Sequence, residues 1–464
     1  MKRNLIDKEL RDKRAVVVGM AATGMAAAEF LSQQGATVIV SEIKTEDLLG
    51  DYPRRLRSLN VALEMGQHSA QTFDSAALIV LSPGVDPAAL PLAQAQTKGI
   101  PIVSEVELAS WFLTPPLIAI TGTNGKSTTT ALIGHLLLSW GKKVFVGGNI
   151  GTPLTTYLLR DDDADYIVAE ISSFQLEAIA TFRPFISLLL NVGEDHLSRH
   201  PTLAAYAAAK ARIFQNQGVQ DWAVLNHDDM IVRSLIPPIK AQLLLFSREQ
   251  QGGDLGVWFE APGTVVYKGK GQGSKKERFS LARVKIKGMH NVENIMAAVG
   301  AARICGMPSA VIQDALDTFA GLEHRLELVG EWHGVSVYND SKATNVASAL
   351  TALQSLDSPI ILLAGGRDKG GSYAPLRGVM KERVKALILM GEAKEKMRAA
   401  FQDLLPVYLV AGMEEGVRLA WNIAQGGEAI LLSPACSSFD MFHDYEDRGR
   451  TFKEIVRRVS GGTG

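Results

Sequence analysis

Runs of four or five apolar residues alternate along this chain with stretches whose apolar positions recur at helical spacing, and that rhythm predicts an α/β fold built on parallel sheets. Residues 15–18 read as a strand, 19–24 as a glycine turn, 25–34 as a helix closed by Gly35, and 37–40 as a second strand, a βαβ opening of Rossmann type. A further strand at 77–81 runs into Leu81-Ser82-Pro83-Gly84-Val85, a loop suited to the same crevice. Pro115 and Pro116 fit no helix interior and mark a hand-over near residue 111. Beyond it, strands at 117–120, 144–146, 166–169 and 186–191 alternate with helical stretches such as 127–140. Residues 243–286 differ: glycine-rich turns separate short alternating runs such as 264–267, which predicts added antiparallel strands, with the charged tract 268–278 as a solvated hairpin tip. After Gly321 the βα rhythm returns, with strands at 335–338, 360–363, 386–389 and 429–432.

A chain of 464 residues is too long for one core, since domains commonly hold about 100–200 residues. Three domains are expected: a Rossmann-like one at 1–110, a central P-loop ATPase-type α/β domain with extra antiparallel strands at 111–321, and a second Rossmann-like one at 322–464. Short-period repeats and long low-complexity segments are absent.

Composition removes several classes of function. Lys and Arg number 48 against 49 Asp and Glu, so there is no basic excess to drive binding to nucleic acid. The two cysteines, Cys305 and Cys436, form no Cys-x-x-Cys pair or zinc-spaced cluster and read as buried thiols in a reducing compartment. Residues 1–14 are charged and no apolar run approaches the about 20 residues needed to span a bilayer, so a soluble, cytoplasmic protein is expected. A monomer is expected as well.

The most specific chemistry sits between the strand at 117–120 and the helix that follows. Gly122, Thr123, Asn124, Gly125, Lys126, Ser127 and Thr128 form a short phosphate loop. Its glycines let backbone N–H groups approach phosphate oxygens, the helix dipole favours the negative charge, Lys126 neutralises it, and the Ser127 hydroxyl suits Mg²⁺. Only two residues separate Gly122 from Gly125, where the ordinary P-loop has four. ATP or a close relative is the expected ligand. The turn at 19–24 lacks the middle glycine of a dinucleotide fingerprint, although Glu42 stands where a ribose-binding carboxylate would. NAD, another nucleotide-like ligand and simple packing all remain open there.

Five further segments put polar residues directly after apolar strands, where an open sheet presents its crevice. They are Gly147-Gly148-Asn149-Ile150-Gly151, Glu170-Ile171-Ser172-Ser173-Phe174-Gln175-Leu176, Asn191-Val192-Gly193-Glu194-Asp195-His196-Leu197, Tyr338-Asn339-Asp340-Ser341-Lys342-Ala343-Thr344-Asn345 and Ser433-Pro434-Ala435-Cys436-Ser437-Ser438-Phe439-Asp440. With the short-spaced phosphate loop, they make the chain resemble the Mur ligase family over essentially its whole length. Glu-x-Ser-Ser-Phe-Gln-Leu and Ser-Pro-Ala-Cys-x-Ser resemble the branch that adds D-glutamate, and the Asp-Asn-Pro-Arg motif of the diaminopimelate-adding branch is absent.

That resemblance implies an ATP-dependent ligase that phosphorylates the carboxylate of UDP-N-acetylmuramoyl-L-alanine and lets the amine of D-glutamate displace the phosphate, in peptidoglycan precursor synthesis. It implies catalytic roles for Lys126, Glu170, His196, Lys210 and Lys342. Two Mg²⁺ ions would be held by Ser127, Glu170, His196 and, if carbamylated, Lys210. Alone, Glu170 also reads as a helix N-terminal acid, His196 as a helix-starting polar residue, and Lys210 as a solvated lysine on an alanine-rich helix. Asn291, Asn294, Arg325 and Asp340 would join the phosphate loop at ATP, although Asn291 serves equally as a helix cap and Arg325 as a hinge ion pair. Thr23, Gly24, Ser41, Glu42, Ser82, Gly84 and Asn149 would hold the UDP-sugar, and Thr344, Lys369, Ser438, Phe439 and Tyr445 the D-glutamate. Three rivals stand beside this reading: another Mur ligase or a folylpolyglutamate-synthase-like enzyme, an NAD oxidoreductase that would leave the phosphate loop idle, and a P-loop regulatory protein without an amine acceptor.

Overall fold

The computed structural model describes residues 10–86, 89, 91–160, 163–195, 199–249, 256–270, 274–368 and 370–461, so His196 and Lys369 lie outside the described residues. Three sheets fall into two compact units. One unit holds Met1–Val284 with Val292–Thr318 and contains the first two sheets; the other holds Lys285–Asn291 with Phe319–Gly464 and contains the third. Among the described residues no helix is long and apolar enough to cross a membrane.

The first sheet comprises β1 (Arg14–Val18), β2 (Thr37–Glu42), β3 (Ala62–Met65), β4 (Leu78–Leu81) and β5 (Ile102–Ser104), all parallel, in the order β3-β2-β1-β4-β5. The order reverses beside β1, and this sets the turn after β1 against the loop after β4. Two expectations need correction. The first helix spans Ala22–Gln33, three residues earlier than its apolar pattern suggests, so Gly24 lies inside it. A methyl at Gly24 would overlap the Gly19 carbonyl oxygen, and the bare α-carbon is what lets the helix start so close to the strand. The second strand continues to Glu42, so Ser41 and Glu42 are strand residues. The short β3 and β5 gave no periodic signal.

The second sheet has nine strands: β6 (Leu117–Thr121), β7 (Val144–Gly148), β8 (Tyr166–Glu170), β9 (Ile186–Leu189), β10 (Trp222–Asn226), β11 (Gln242–Ser247), β12 (Gly256–Glu260), β13 (Thr264–Lys268) and β14 (Lys276–Ser280). Their order is β14-β13-β12-β11-β10-β9-β6-β8-β7. Ile118, Ile120, Val168, Leu188 and Val224 are fully buried, as a parallel sheet covered on both faces requires. The expected antiparallel region is smaller than residues 243–286. β11 pairs parallel with both β10 and β12, and only β12-β13 and β13-β14 are antiparallel. Part of the supposed hairpin tip is β14, anchored by the buried Phe279.

The third sheet comprises β15 (Glu327–Trp332), β16 (Val335–Asn339), β17 (Ile360–Gly365), β18 (Val384–Met390), β19 (Val407–Leu409) and β20 (Ala429–Leu432), in the order β15-β16-β20-β17-β18-β19. Five strands are parallel and β15 lies antiparallel at the edge. Charged Glu327 and Glu331 hid β15 from a hydrophobic reading but suit an edge strand. The closing helix, Tyr445–Val459, starts where the Asp444 carboxylate accepts the Asp447 N–H at 2.7 Å.

Candidate active site

The phosphate loop leaves β6 and enters the helix Lys126–Ser139 at Gly125, whose φ of +82° lies in the left-handed region. A side chain at Gly125 would strike the Asn294 amide oxygen, which also accepts from Thr129 Oγ1 at 3.2 Å. Asn191, two residues beyond the end of the neighbouring strand β9, holds the loop's shape: its Oδ1 accepts the N–H groups of Thr123 (3.1 Å) and Asn124 (2.8 Å), and its Nδ2 donates to the Asn124 carbonyl (3.1 Å). Lys126 Nζ donates to the carbonyls of Gly122 (3.0 Å) and Thr123 (2.8 Å). Thr128 is buried in the first helical turn.

Beside this loop lies a polar cluster in which Ser127 and Glu170 are buried and Asn149 is exposed. β8 pairs with β6 so that Glu170 stands opposite Ile120. Ser127 Oγ donates to Glu170 Oε2 at 2.7 Å, and Asn149 Nδ2 donates to Oε1 at 2.9 Å. The residues after Glu170 fix its chain direction, because Ser172 and Gln175 form a reciprocal capping box for the helix Ser173–Glu177.

Lys210 corrects the expectation of a solvated lysine: it is 1% exposed. The helix Leu203–Ala211 turns it inward, where Nζ donates to the Gly122 carbonyl at 2.8 Å and lies 4.3 Å from the Tyr206 ring centre. Two lysines therefore converge on one loop carbonyl. Burial, then the nearby Lys126 charge, draws the Lys210 ammonium down to about 6, so the amine is mostly neutral at neutral pH. The alanines that suggested an exposed helix are small enough to let this face pack inward.

These residues fit a magnesium-bound triphosphate. A left-handed glycine cradle opens a helix, Lys126 lies within it, and Ser127 and Glu170 offer hard oxygens side by side. Among the described residues no group of three His, Cys, Asp or Glu side chains could hold a metal ion by itself, so the remaining ligands would be phosphate oxygens and water.

In the first sheet the expected UDP-sugar residues divide. Glu42 Oε2 accepts the Met20 N–H at 2.7 Å and Oε1 the Lys44 N–H at 3.0 Å, which pins the glycine turn. Ser82 Oγ donates to the Gly19 carbonyl at 3.2 Å, joining the two loops of the crevice. Thr23 is half-buried beside Gly24, and Gly84 is exposed in the second loop. Ser41 is fully buried and bonded to Glu64 (2.6 Å) and His68 (2.7 Å), which assigns its hydroxyl to an internal network.

The second unit gathers another set. Asn291 donates to the Lys287 carbonyl at 2.7 Å. The Asp340 carboxylate is buried and accepts from Ser433 Oγ (2.9 Å) and the Leu326 N–H (3.1 Å), yet burial still pushes it up to about 7, against the pull of Arg325 and Arg448. Lys342 Nζ lies 4.9 Å from the Tyr445 ring centre. Tyr445 donates to Glu446 at 2.9 Å and is pushed up to about 12 by burial and that carboxylate. Thr344 is half-buried, Ser438 is buried, and Phe439 is 64% exposed.

Sequence reasoning passed over Tyr206, Arg448 and the structural role of Asn191. Tyr206 stands four residues before Lys210 on one helix face, a spacing that pairs them. Asn191 occupies the crevice position after a strand. Arg448 carried no local signal.

Comparison with known proteins follows this division of the chain. The family model for the Mur ligase middle domain matches residues 120–302, the Mur ligase MurD-like N-terminal domain matches 13–104, and the Mur ligase glutamate ligase domain matches 324–436. The UDP-N-acetylmuramoylalanine–D-glutamate ligase of Geotalea daltonii is 45% identical, covering 98% of this chain and 99% of its own. The protein of the same name from Geotalea uraniireducens is 46% identical over 98% of this chain and all of its own. Among solved structures, the UDP-N-acetylmuramate-alanine ligase of Thermotoga maritima shares the fold, with a TM-score of 0.59 at 19% identity over 96% of this chain and 99% of its own. A pseudomurein peptide ligase type C from Methanothermus fervidus does likewise, with a TM-score of 0.58 at 19% identity over 97% of this chain and 100% of its own.

Proposed function

This chain belongs to the Mur ligase family, and from that premise we propose that it joins D-glutamate to UDP-N-acetylmuramoyl-L-alanine at the expense of ATP, in the cytoplasmic synthesis of peptidoglycan precursors. The observation that carries the reading is the convergence of Lys126 and Lys210 on the Gly122 carbonyl, with Glu170 bonded to Ser127 alongside. A site that brings an acceptor carboxylate to a triphosphate must offset several negative charges, and this one sets a half-buried cation, a helix N-terminus and buried oxygen ligands side by side.

The acceptor carboxylate oxygen attacks the γ-phosphorus and ADP leaves. The D-glutamate amine then attacks the acyl carbon, loses a proton, and the tetrahedral intermediate expels phosphate to leave the amide. Lys126 balances charge on the transferred phosphoryl group, and Asn149, held against Glu170, orients the sugar-peptide arm. Ser127 and Glu170, with His196, would hold Mg²⁺, which supplies charge neutralisation at the phosphates when bound. The buried, mostly neutral Lys210 amine is suited to add to CO₂, forming an N–C bond and releasing one proton; the carbamate would give a second Mg²⁺ two further oxygens. Lys342 and Arg325 would stabilise charge at the substrates, with Thr344, Lys369, Ser438, Phe439 and Tyr445 receiving D-glutamate.

Phosphate release measured with ATP, Mg²⁺, UDP-N-acetylmuramoyl-L-alanine and a panel of amino acids tests the proposal. D-Glutamate is expected to stimulate turnover far above L-glutamate, L-alanine or L-lysine. Equal stimulation by L-alanine or L-lysine would assign the chain to another branch of the family.

A further inference from the structure

The helix Tyr445–Val459 carries a buried arginine that the proposed chemistry does not use. Arg448 Nε donates to Ser341 Oγ at 2.9 Å, Nη2 to the Ser341 carbonyl at 2.7 Å, and Nη1 to the Cys436 carbonyl at 3.2 Å. Ser341 Oγ in turn donates to the Tyr445 carbonyl at 2.8 Å, tying the start of the helix to the same point. On the third side, Nη1 lies against Gly366, where an added Cβ would stand only 3.2 Å from it.

The topology explains why one side chain reaches all three segments. β16, β20 and β17 are consecutive neighbours in the sheet and run parallel, so the loops after their C-terminal ends emerge side by side. Ser341 belongs to the first loop, Cys436 to the second and Gly366 to the third. The first loop also bears Lys342 and Thr344, and the second Ser438 and Phe439; Tyr445 lies one helical turn before Arg448. Almost every residue proposed for D-glutamate is thus one or a few residues from an Arg448 partner.

A planar guanidinium suits this task. It donates in several fixed directions at once, whereas an ammonium is a compact point donor. Burial draws Arg448 down to about 10, which still leaves it charged at neutral pH, and Asp340, Asp440 and the Cys436 thiol are the anionic or ionisable groups around it. None of them is its direct partner: its hydrogen bonds go to two backbone carbonyls and one hydroxyl. A buried cation spent on loop backbones, rather than on a carboxylate, fixes the spacing of those loops.

We propose that Arg448 is the positioning residue of the amino-acid site: by bonding the loops after β16 and β20 and packing against the loop after β17, it sets the geometry that receives D-glutamate without touching it. This rests on the ligase reading above. The test uses the full-length enzyme with ATP, Mg²⁺ and UDP-N-acetylmuramoyl-L-alanine. For Arg448→Lys, KM for D-glutamate should rise about tenfold or more while KM for ATP and for the UDP-sugar stays within about threefold. Acyl phosphate formed without D-glutamate, trapped by borohydride reduction, should remain near the wild-type amount. Ser341→Ala, which deletes one of the three bonds and leaves the cation in place, should raise KM for D-glutamate by about threefold. It serves if Arg448→Lys fails to fold. An unchanged KM for D-glutamate in both variants, or parallel changes in all three KM values, overturns the assignment. If wild-type enzyme shows no D-glutamate stimulation at all, the ligase reading itself falls, a result visible before any variant is made.

Discussion

The turn after β1 and the loop after β6 share one local plan, a buried strand, a glycine-rich turn and a helix, yet their surroundings differ. Around the first turn the side chains are turned toward the backbone: Glu42 accepts the Met20 and Lys44 N–H groups, Ser82 bonds the Gly19 carbonyl, and Gly24 is a packing residue. Around the second, two lysines, a glutamate, a serine and an asparagine meet, and of these Ser127, Glu170 and Lys210 are buried. Glycine spacing therefore specifies a turn; the charges folded around it specify what the turn can bind. A triphosphate undergoing reaction needs a cation such as Lys126, which the first turn lacks, whereas helix N–H groups can hold a diphosphate that does not react.

The comparison can be broken most decisively at Lys126. Lys126→Ala should lower kcat/KM in the phosphate-release assay by about 10³-fold, because it removes a cation aimed at developing phosphate charge. A loss below about tenfold would put the reacting phosphate elsewhere. Lys210→Ala should follow, with about 10²-fold lower turnover; partial restoration by a short carboxylic acid would support the proposed carbamate, whose oxygens it would replace. Full activity in that variant would remove Lys210 from the chemistry and leave it a packing residue.

At the first turn the effects should be on stability and binding. Gly24→Ala places a methyl on the Gly19 carbonyl and is expected to cost about 2 kcal/mol in urea unfolding, with a raised KM for the UDP-sugar and an unchanged KM for ATP. A parallel rise in KM for ATP would mean that the two turns are not independent. The smallest effect concerns Glu105, whose Oε1 accepts the Thr155 N–H at 2.6 Å and its hydroxyl at 2.8 Å, and whose Oε2 is buried without a partner. Burial pushes its carboxyl from 4.5 up to about 7. Because the folded value lies above the unfolded one, its contribution is full below about pH 4.5 and is lost as pH rises through about 7. Glu105→Gln should flatten the dependence of unfolding free energy on pH across that window, and an unaltered slope would show that the carboxyl titrates normally.

Much of this molecule was legible from its sequence because continuous apolar runs leave few alternatives to buried parallel strands. The phosphate loop was legible too, since its parts are contiguous and each has a separate job. What escaped was set by packing across distance. Lys210 reads as a surface lysine because its neighbours are alanines, and only the fold turns that face onto Gly122. Ser41 reads as a loop residue after a strand, but the strand runs on and buries it beside Glu64 and His68. β15 was hidden because an edge strand carries charge where a central one cannot.

The sequence by itself determined the α/β rhythm, the triphosphate cradle and the family resemblance, because each is built from short motifs whose own residues are contiguous in the chain. Only the tertiary structure decided which charges surround that cradle and which side chain binds the loops of the third sheet. Gly122 and Lys210 are 88 positions apart, and Ser341 and Arg448 107. Parallel strand order brings such residues together, and burial then draws the Lys210 ammonium down and fixes Arg448 in its place. Neither effect exists until the sheets have formed.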